Sequence, residues 1–93
     1  SYNVVLEHSS MGRPCIGSNI PGVREGIDDG KTGFLFEVKN VDSMVRAVER
    51  FLLLTHDEKK AMGRAARIKM ETEFKREIVT DIYIEEINKI IGE

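Results

Sequence analysis

A carboxylate beside a row of backbone donors is a ligand site in outline, and the opening residues of this chain provide one. Glu7 follows Asn3-Val4-Val5-Leu6 in the first turns of what reads as a short helix over about Asn3 to Met11. The first N–H groups of a helix have no intrahelical partners and form the positive end of its dipole. Asn3, Val4 and Val5 are therefore candidates to donate backbone N–H groups to a diphosphate. A carboxylate offers several acceptor sites and no competing donor, which suits the vicinal hydroxyls of a ribose. Glu7 beside that helix start would thus hold phosphate and ribose contacts together, as nucleotide sites do. The plainer reading is a first-turn acid favoured by the helix dipole alone.

Other reactive side chains point less sharply. Glu25 follows Pro21-Gly22 by a few residues and has two readings: its carboxylate reaches a ligand, or it ties the Gly22 turn to the next short helical turn. His8 lies beside Glu7 but has no second titrating partner nearby in sequence, so acid–base catalysis is not expected of it. His56 follows Thr55 at a helix start and reads as a solvated residue. Cys15, between Pro14 and Ile16 in an apolar run, reads as a small buried hydrophobe rather than a nucleophile. Asp28-Asp29 is expected to be a turn and not a metal site, because no further ligand follows at suitable spacing. Met11, Met44, Met62 and Met70 read as core fillers.

These groups must be positioned by few elements. Gly12-Arg13-Pro14 should stop the first helix, with Gly12 as a left-handed cap. Cys15-Ile16-Gly17-Ser18 is a short apolar run between prolines and suggests a buried parallel strand. Pro21-Gly22 marks a turn, Val23 to Ile27 one helical turn, Asp28-Asp29-Gly30 a second turn, and Gly33 to Phe36 a second strand. Beyond Asn40, an N-cap with Asp42 in the following turn, the chain reads as helical. Val41, Met44, Val45, Val48, Phe51 and Leu52 recur at helical spacing as an apolar stripe. Thr55 and Glu58 form a capping box that opens a helix to about Glu73. Gly63 inside it costs about 1 kcal/mol relative to Ala, which is tolerable where a neighbouring element comes close. Phe74 is expected to open a third helix, whose Ile78, Ile82, Tyr83, Ile87, Ile90 and Ile91 fall on several sides.

The 93 residues allow one small domain, of a size that buries roughly 60–65% of its unfolded surface. With 41% apolar and 32% charged residues the composition is that of a soluble globular protein, and the net charge of -2 gives no reason to expect nucleic acid. No apolar run reaches the roughly 18 residues of a membrane span, and Ser1 opens straight into apparent structure without a signal peptide. A single cysteine is compatible with a reducing compartment. Two strands alone are marginal. The α/β pattern, two short parallel strands followed by three helices, therefore reads as the C-terminal part of a larger Rossmann-like domain, with an α/β part over residues 1–39 and a helical part over 40–93.

The order of these pieces resembles the C-terminal, donor-binding segment of the retaining, nucleotide-sugar-dependent glycosyltransferases of group 1, which have the GT-B fold. The matching residues are Glu7, Gly12-Arg13-Pro14, Cys15 to Ser18, Gly22 with Glu25, and the Asp29 to Leu35 run DGKTGFL. MGRAARIKMETEF and the helix after it are similar to the family's closing helices. The sequence departs from the family at His8, where a small residue is common, at Gly26, where an aliphatic one is usual, and at the single Gly22 in place of a frequent pair. The resemblance implies that Glu7 is the ribose-binding second glutamate of a pair whose first member would precede Ser1. The basic donor-phosphate residues and the acceptor-binding domain would lie further upstream, so no catalytic residue is expected here. It implies a nucleotide-diphosphate sugar as donor, a saccharide or lipid-linked acceptor held by an N-terminal domain, and no cofactor or metal. It also implies bacterial polysaccharide, capsule, lipopolysaccharide or glycolipid synthesis at the cytoplasmic side of the inner membrane. The alternatives are a nucleotide-sugar epimerase of similar fold, or a non-catalytic helical interaction module built on residues 40–93. The 93 residues alone are expected to transfer no sugar and to associate with themselves through uncovered apolar surface.

Overall fold

The structure, a computed structural model, describes Ser9 and residues 11–92, apart from the side chains of residues 81–83. Most of the expected first helix, with Asn3, Val4, Val5, Glu7 and His8, lies outside the described residues, as do the side chains of Ile82 and Tyr83. Ser9 is helical and buried, and its carbonyl accepts from the Gly12 N–H at 3.0 Å. Gly12 has the positive φ of 70° expected of a helix cap.

Strands β1 (Cys15–Ser18) and β2 (Gly33–Phe36) pair in parallel, Cys15 opposite Gly33 and Ser18 opposite Phe36. The crossover between them contains one 3-10 turn, Arg24–Gly26. Helices α1 (Val41–Leu52) and α2 (His56–Ile90) follow. The α/β class and the parallel pair are as the sequence indicates. The two closing helices expected to meet at Phe74 run instead as one helix of 35 residues. No Gly or Pro interrupts the chain between Gly63 and Ile91, so propensity carries the helix through. An ion pair between Glu73 and Arg76 spans the expected junction. None of the helices among the described residues is long and apolar enough to cross a membrane.

Both helix starts are built as their residues dictate. Asn40 Oδ1 accepts from the Ser43 N–H at 3.0 Å, and Ser43 Oγ accepts from the Glu37 N–H at 2.9 Å, which joins α1 to the end of β2. Thr55 and Glu58 make both bonds of the capping box, at 3.1 and 2.8 Å. Phe34 of β2, Ala47 of α1 and Met62 of α2 form the core cluster, with Phe36, Phe51 and Leu54 packed against it. Of the α1 stripe, Phe51 reaches this core and the rest is largely uncovered. Ala47 is buried, whereas Val41, Met44, Val45, Val48 and Leu52 are exposed. The apolar side of α1 extends beyond a two-stranded sheet too narrow to cover it. Met62 fills the core as expected, but Met11 and Met44 lie on the surface.

Gly63 explains how α2 reaches the sheet. A Cβ at Gly63 would sit 2.1 Å from the Gly12 carbonyl oxygen. The missing side chain lets the helix pack directly on the Gly12-Arg13-Pro14 turn that feeds β1.

Candidate functional site

In an open parallel sheet, ligands bind beyond the carboxyl ends of the strands. Here that edge carries the segment leaving Ser18. Asn19 N–H donates to the Phe36 carbonyl at 2.8 Å, so the segment starts level with the end of β2. Ile20 O then accepts from the N–H groups of Val23 and Arg24 at 3.1 and 3.0 Å, and Gly22 adopts a φ of 89°. That left-handed conformation favours Gly, which explains the residue at this point of the turn.

Gly22 and Glu25 are brought together directly. The Gly22 N–H donates to Glu25 Oε2 at 2.7 Å, closing the turn on itself. This is the loop-tying geometry that was one of the two readings of Glu25. Hydrogen bonds from its own backbone N–H and then from that of Gly22 hold its carboxyl below the usual glutamate range. The carboxylate is at the surface, beside a shallow cavity of about 380 Å³ whose far wall is Glu73, Arg76 and Glu77 of α2. Sequence reasoning missed those three as neighbours of the turn. Their spacing places them on one helix face, but nothing local relates that face to a loop some fifty residues earlier.

The Asp28-Asp29 turn is structural in its bonding. Asp29 Oδ1 accepts from the Leu35 N–H at 3.0 Å, and its other oxygen lies 3.8 Å from Arg50 of α1. The Arg50 guanidinium rests over the Phe34 ring, 4.5 Å from its centre. Asp28 N–H donates to Thr32 Oγ1 at 2.9 Å, and the Asp28 carboxylate accepts from Lys69 of α2 at 3.2 Å. Both acids are thus engaged by cations and by the turn itself. No cluster of His, Cys, Asp and Glu suited to a metal occurs among the described residues. Cys15 is half-buried and burial pushes its thiol up, which keeps it protonated. His56 is exposed in the first turn of α2.

Comparison with known proteins bears on this geometry. The family model described as "Glycosyl transferases group 1" matches residues 3–69, from the undescribed opening residues through both strands and α1 into α2. The N-acetyl-alpha-D-glucosaminyl L-malate synthase of Bacillus anthracis is 33% identical over 82 residues, which is 86% of this chain and 21% of that protein. The GDP-mannose-dependent alpha-(1-6)-phosphatidylinositol monomannoside mannosyltransferase of Mycobacterium tuberculosis (strain CDC 1551 / Oshkosh) is 39% identical over 64 residues, 69% of this chain and 16% of that protein. The chain therefore spans about a fifth of the length of the curated relatives it matches.

Proposed function

The chain belongs to the group 1 glycosyltransferase family, and from that premise we propose that it is the donor-binding segment of a retaining, nucleotide-sugar-dependent glycosyltransferase. The observation that carries the reading is the family match over residues 3–69, which spans Glu7 and the Gly22–Glu25 turn at the carboxyl end of β1. It also favours a transferase over the epimerase alternative and over a purely helical interaction module, since the match includes residues 3–39 of the α/β part. Glu7 accepts hydrogen bonds from ribose hydroxyls, the N–H groups of Asn3, Val4 and Val5 face the diphosphate, and the Gly22–Glu25 turn closes on the donor. The diphosphate leaves while an acceptor hydroxyl attacks from the same face. Backbone donors and cationic side chains stabilise the leaving phosphates without a metal. The relative named as a phosphatidylinositol monomannoside mannosyltransferase supports a role in glycolipid assembly.

The test is nucleoside diphosphate binding by the intact gene product, with UDP and GDP titrated in parallel. Glu7→Ala should weaken binding by about 1.5–3 kcal/mol, the range for hydrogen bonds to a charged group. His8→Ala should change it little. Equal affinities in the two variants would remove the ribose assignment. The 93 residues by themselves should show no turnover with any common nucleotide sugar, because transfer requires both reactants held in register.

A further inference from the structure

The segment that carries Gly22 and Glu25 is slung between two feet. Its first foot is the Asn19 N–H bond to the Phe36 carbonyl at 2.8 Å, which joins the ends of the two strands. Its second foot is Ile27-Asp28. Ile27 is 3% exposed, Asp28 N–H donates to the buried Thr32 hydroxyl, and the Asp28 carbonyl accepts from Lys31 and Thr32 at 2.9 and 3.0 Å. Between the feet the Ile20 N–H donates to the Ser18 carbonyl that ends β1, at 2.8 Å, and the loop otherwise bonds to itself among the described residues: Ile20 to Val23 and Arg24, Gly22 to Glu25, Val23 to Gly26. Such bonds shape the turn but do not set where it stands relative to α2.

Packing holds the loop to β1, where Val23 Cγ1 would lie 2.6 Å from a Cβ at Gly17 and Gly26 and Ile27 are buried, but it is looser towards α2. Two clefts open to solvent lie along the seam between this segment and α2, of about 380 and 360 Å³, and Glu73 borders both. The polar contact that crosses the seam among the described residues is Lys69 Nζ, 3.2 Å from Asp28 Oδ1 and 41 residues distant in sequence. The Lys69 side chain is only 19% exposed, so its stem is held while its ammonium reaches the turn. The other ion pairs of α2 among the described residues, Arg67–Glu71, Glu73–Arg76 and Glu86–Lys89, stay within the helix. Lys69 also precedes Glu73, Arg76 and Glu77 by four, seven and eight positions, so it shares their helix face.

We propose that Lys69 is a positioning residue: by holding Asp28, it fixes the foot of the Gly22–Glu25 turn against α2 and so sets the pose in which that turn meets the nucleotide-sugar donor. This rests on the donor-binding reading of the turn given above. A half-exposed ion pair is modest, so its loss should alter the pose of the turn without unfolding the domain.

The experiment uses the intact gene product with Lys69→Ala, Lys69→Arg and Asp28→Asn, and Lys89→Ala as a control ion-pair deletion far along the same helix. Amide hydrogen exchange over residues 22–27 should speed up in Lys69→Ala and Asp28→Asn, return towards wild type in Lys69→Arg, and stay unchanged in Lys89→Ala. Affinity for UDP or GDP and the donor KM should weaken about two- to fivefold in the first two variants, the span of an exposed-to-half-buried pair, with kcat within twofold. Unchanged exchange at residues 22–27 in Lys69→Ala and Asp28→Asn would overturn the positioning role, as would weakened donor binding that Lys69→Arg fails to restore. If the wild-type protein binds neither nucleotide, the donor reading fails, and the exchange contrast still decides whether Lys69 holds the loop.

Discussion

Glu25 shows how one carboxylate can shape a turn at the solvent boundary. It accepts from the Gly22 N–H at 2.7 Å, and together with the bond from its own N–H this favours the ionised form. A carboxyl held below its ordinary range stabilises the closed turn above the unfolded-state pKa, and that contribution is lost as pH falls through the lower folded value. In an NMR titration the Gly22 amide should therefore shift at a pH below the ordinary glutamate value of about 4.3. A transition at or above that value would show that the bond is not kept in solution. Glu25→Gln, which retains an acceptor but not the charge, should remove this transition and speed exchange of the Gly22 amide. Glu58 titrates with the same sign, held low by the Thr55 backbone N–H and then the Thr55 hydroxyl, so its support of α2 should also fade on acidification.

At the scale of elements, α2 is decided by opposing local and tertiary demands. Helix propensity alone favours Gly63→Ala by about 1 kcal/mol. The Cβ would, however, meet the Gly12 carbonyl oxygen at 2.1 Å, and that oxygen belongs to backbone that leads straight into β1. Overpacking against backbone costs about 1–3 kcal/mol. Gly63→Ala should thus lower stability in urea unfolding, in the sense opposite to its propensity; a gain would mean that α2 does not rest on the Gly12 turn. Thr55→Ala should cost about 1 kcal/mol through loss of the N-cap, read as a lower midpoint with the denaturant slope unchanged.

The whole molecule is extended. Its radius of gyration is 16.4 Å, against about 12 Å for a compact domain of this length. The final turns of α2 run past the sheet and expose Phe74, Ile78, Val79, Ile84, Ile87 and Ile90, the last at 83%. Val41 and Leu52 stand out from α1, and Ile16 of β1 is partly open, while Leu35 is half-buried. Surface of this kind is rare on a self-sufficient monomer. The chain should therefore associate with itself in sedimentation at rising concentration and bind a hydrophobic dye. A compact monomer that binds no dye and unfolds cooperatively would contradict this.

Much was legible because it is local. A capping box, an Asn N-cap, glycines at left-handed turns and short apolar runs between turn residues each satisfy backbone groups within a few positions. Both strands, the N-termini of α1 and α2 and the Asp28–Gly30 turn followed from such patterns. The ordered motifs from Glu7 to Leu35 also carried the family. The boundary expected at Phe74 was not real, because an aromatic residue at a plausible start does not break a helix when neither Gly nor Pro is present. Only the tertiary structure decided which side of α1 is buried. A stripe of Val, Met and Leu predicts an apolar contact, but whether the sheet or something else supplies it depends on how much sheet there is. The same holds for the bond from Lys69 to Asp28 and for the cavity wall of Glu73, Arg76 and Glu77 beside Glu25. These pairings join residues more than forty positions apart, and they exist because the absent side chain of Gly63 lets one helix lie close enough to the sheet for the rest of its face to reach the loop.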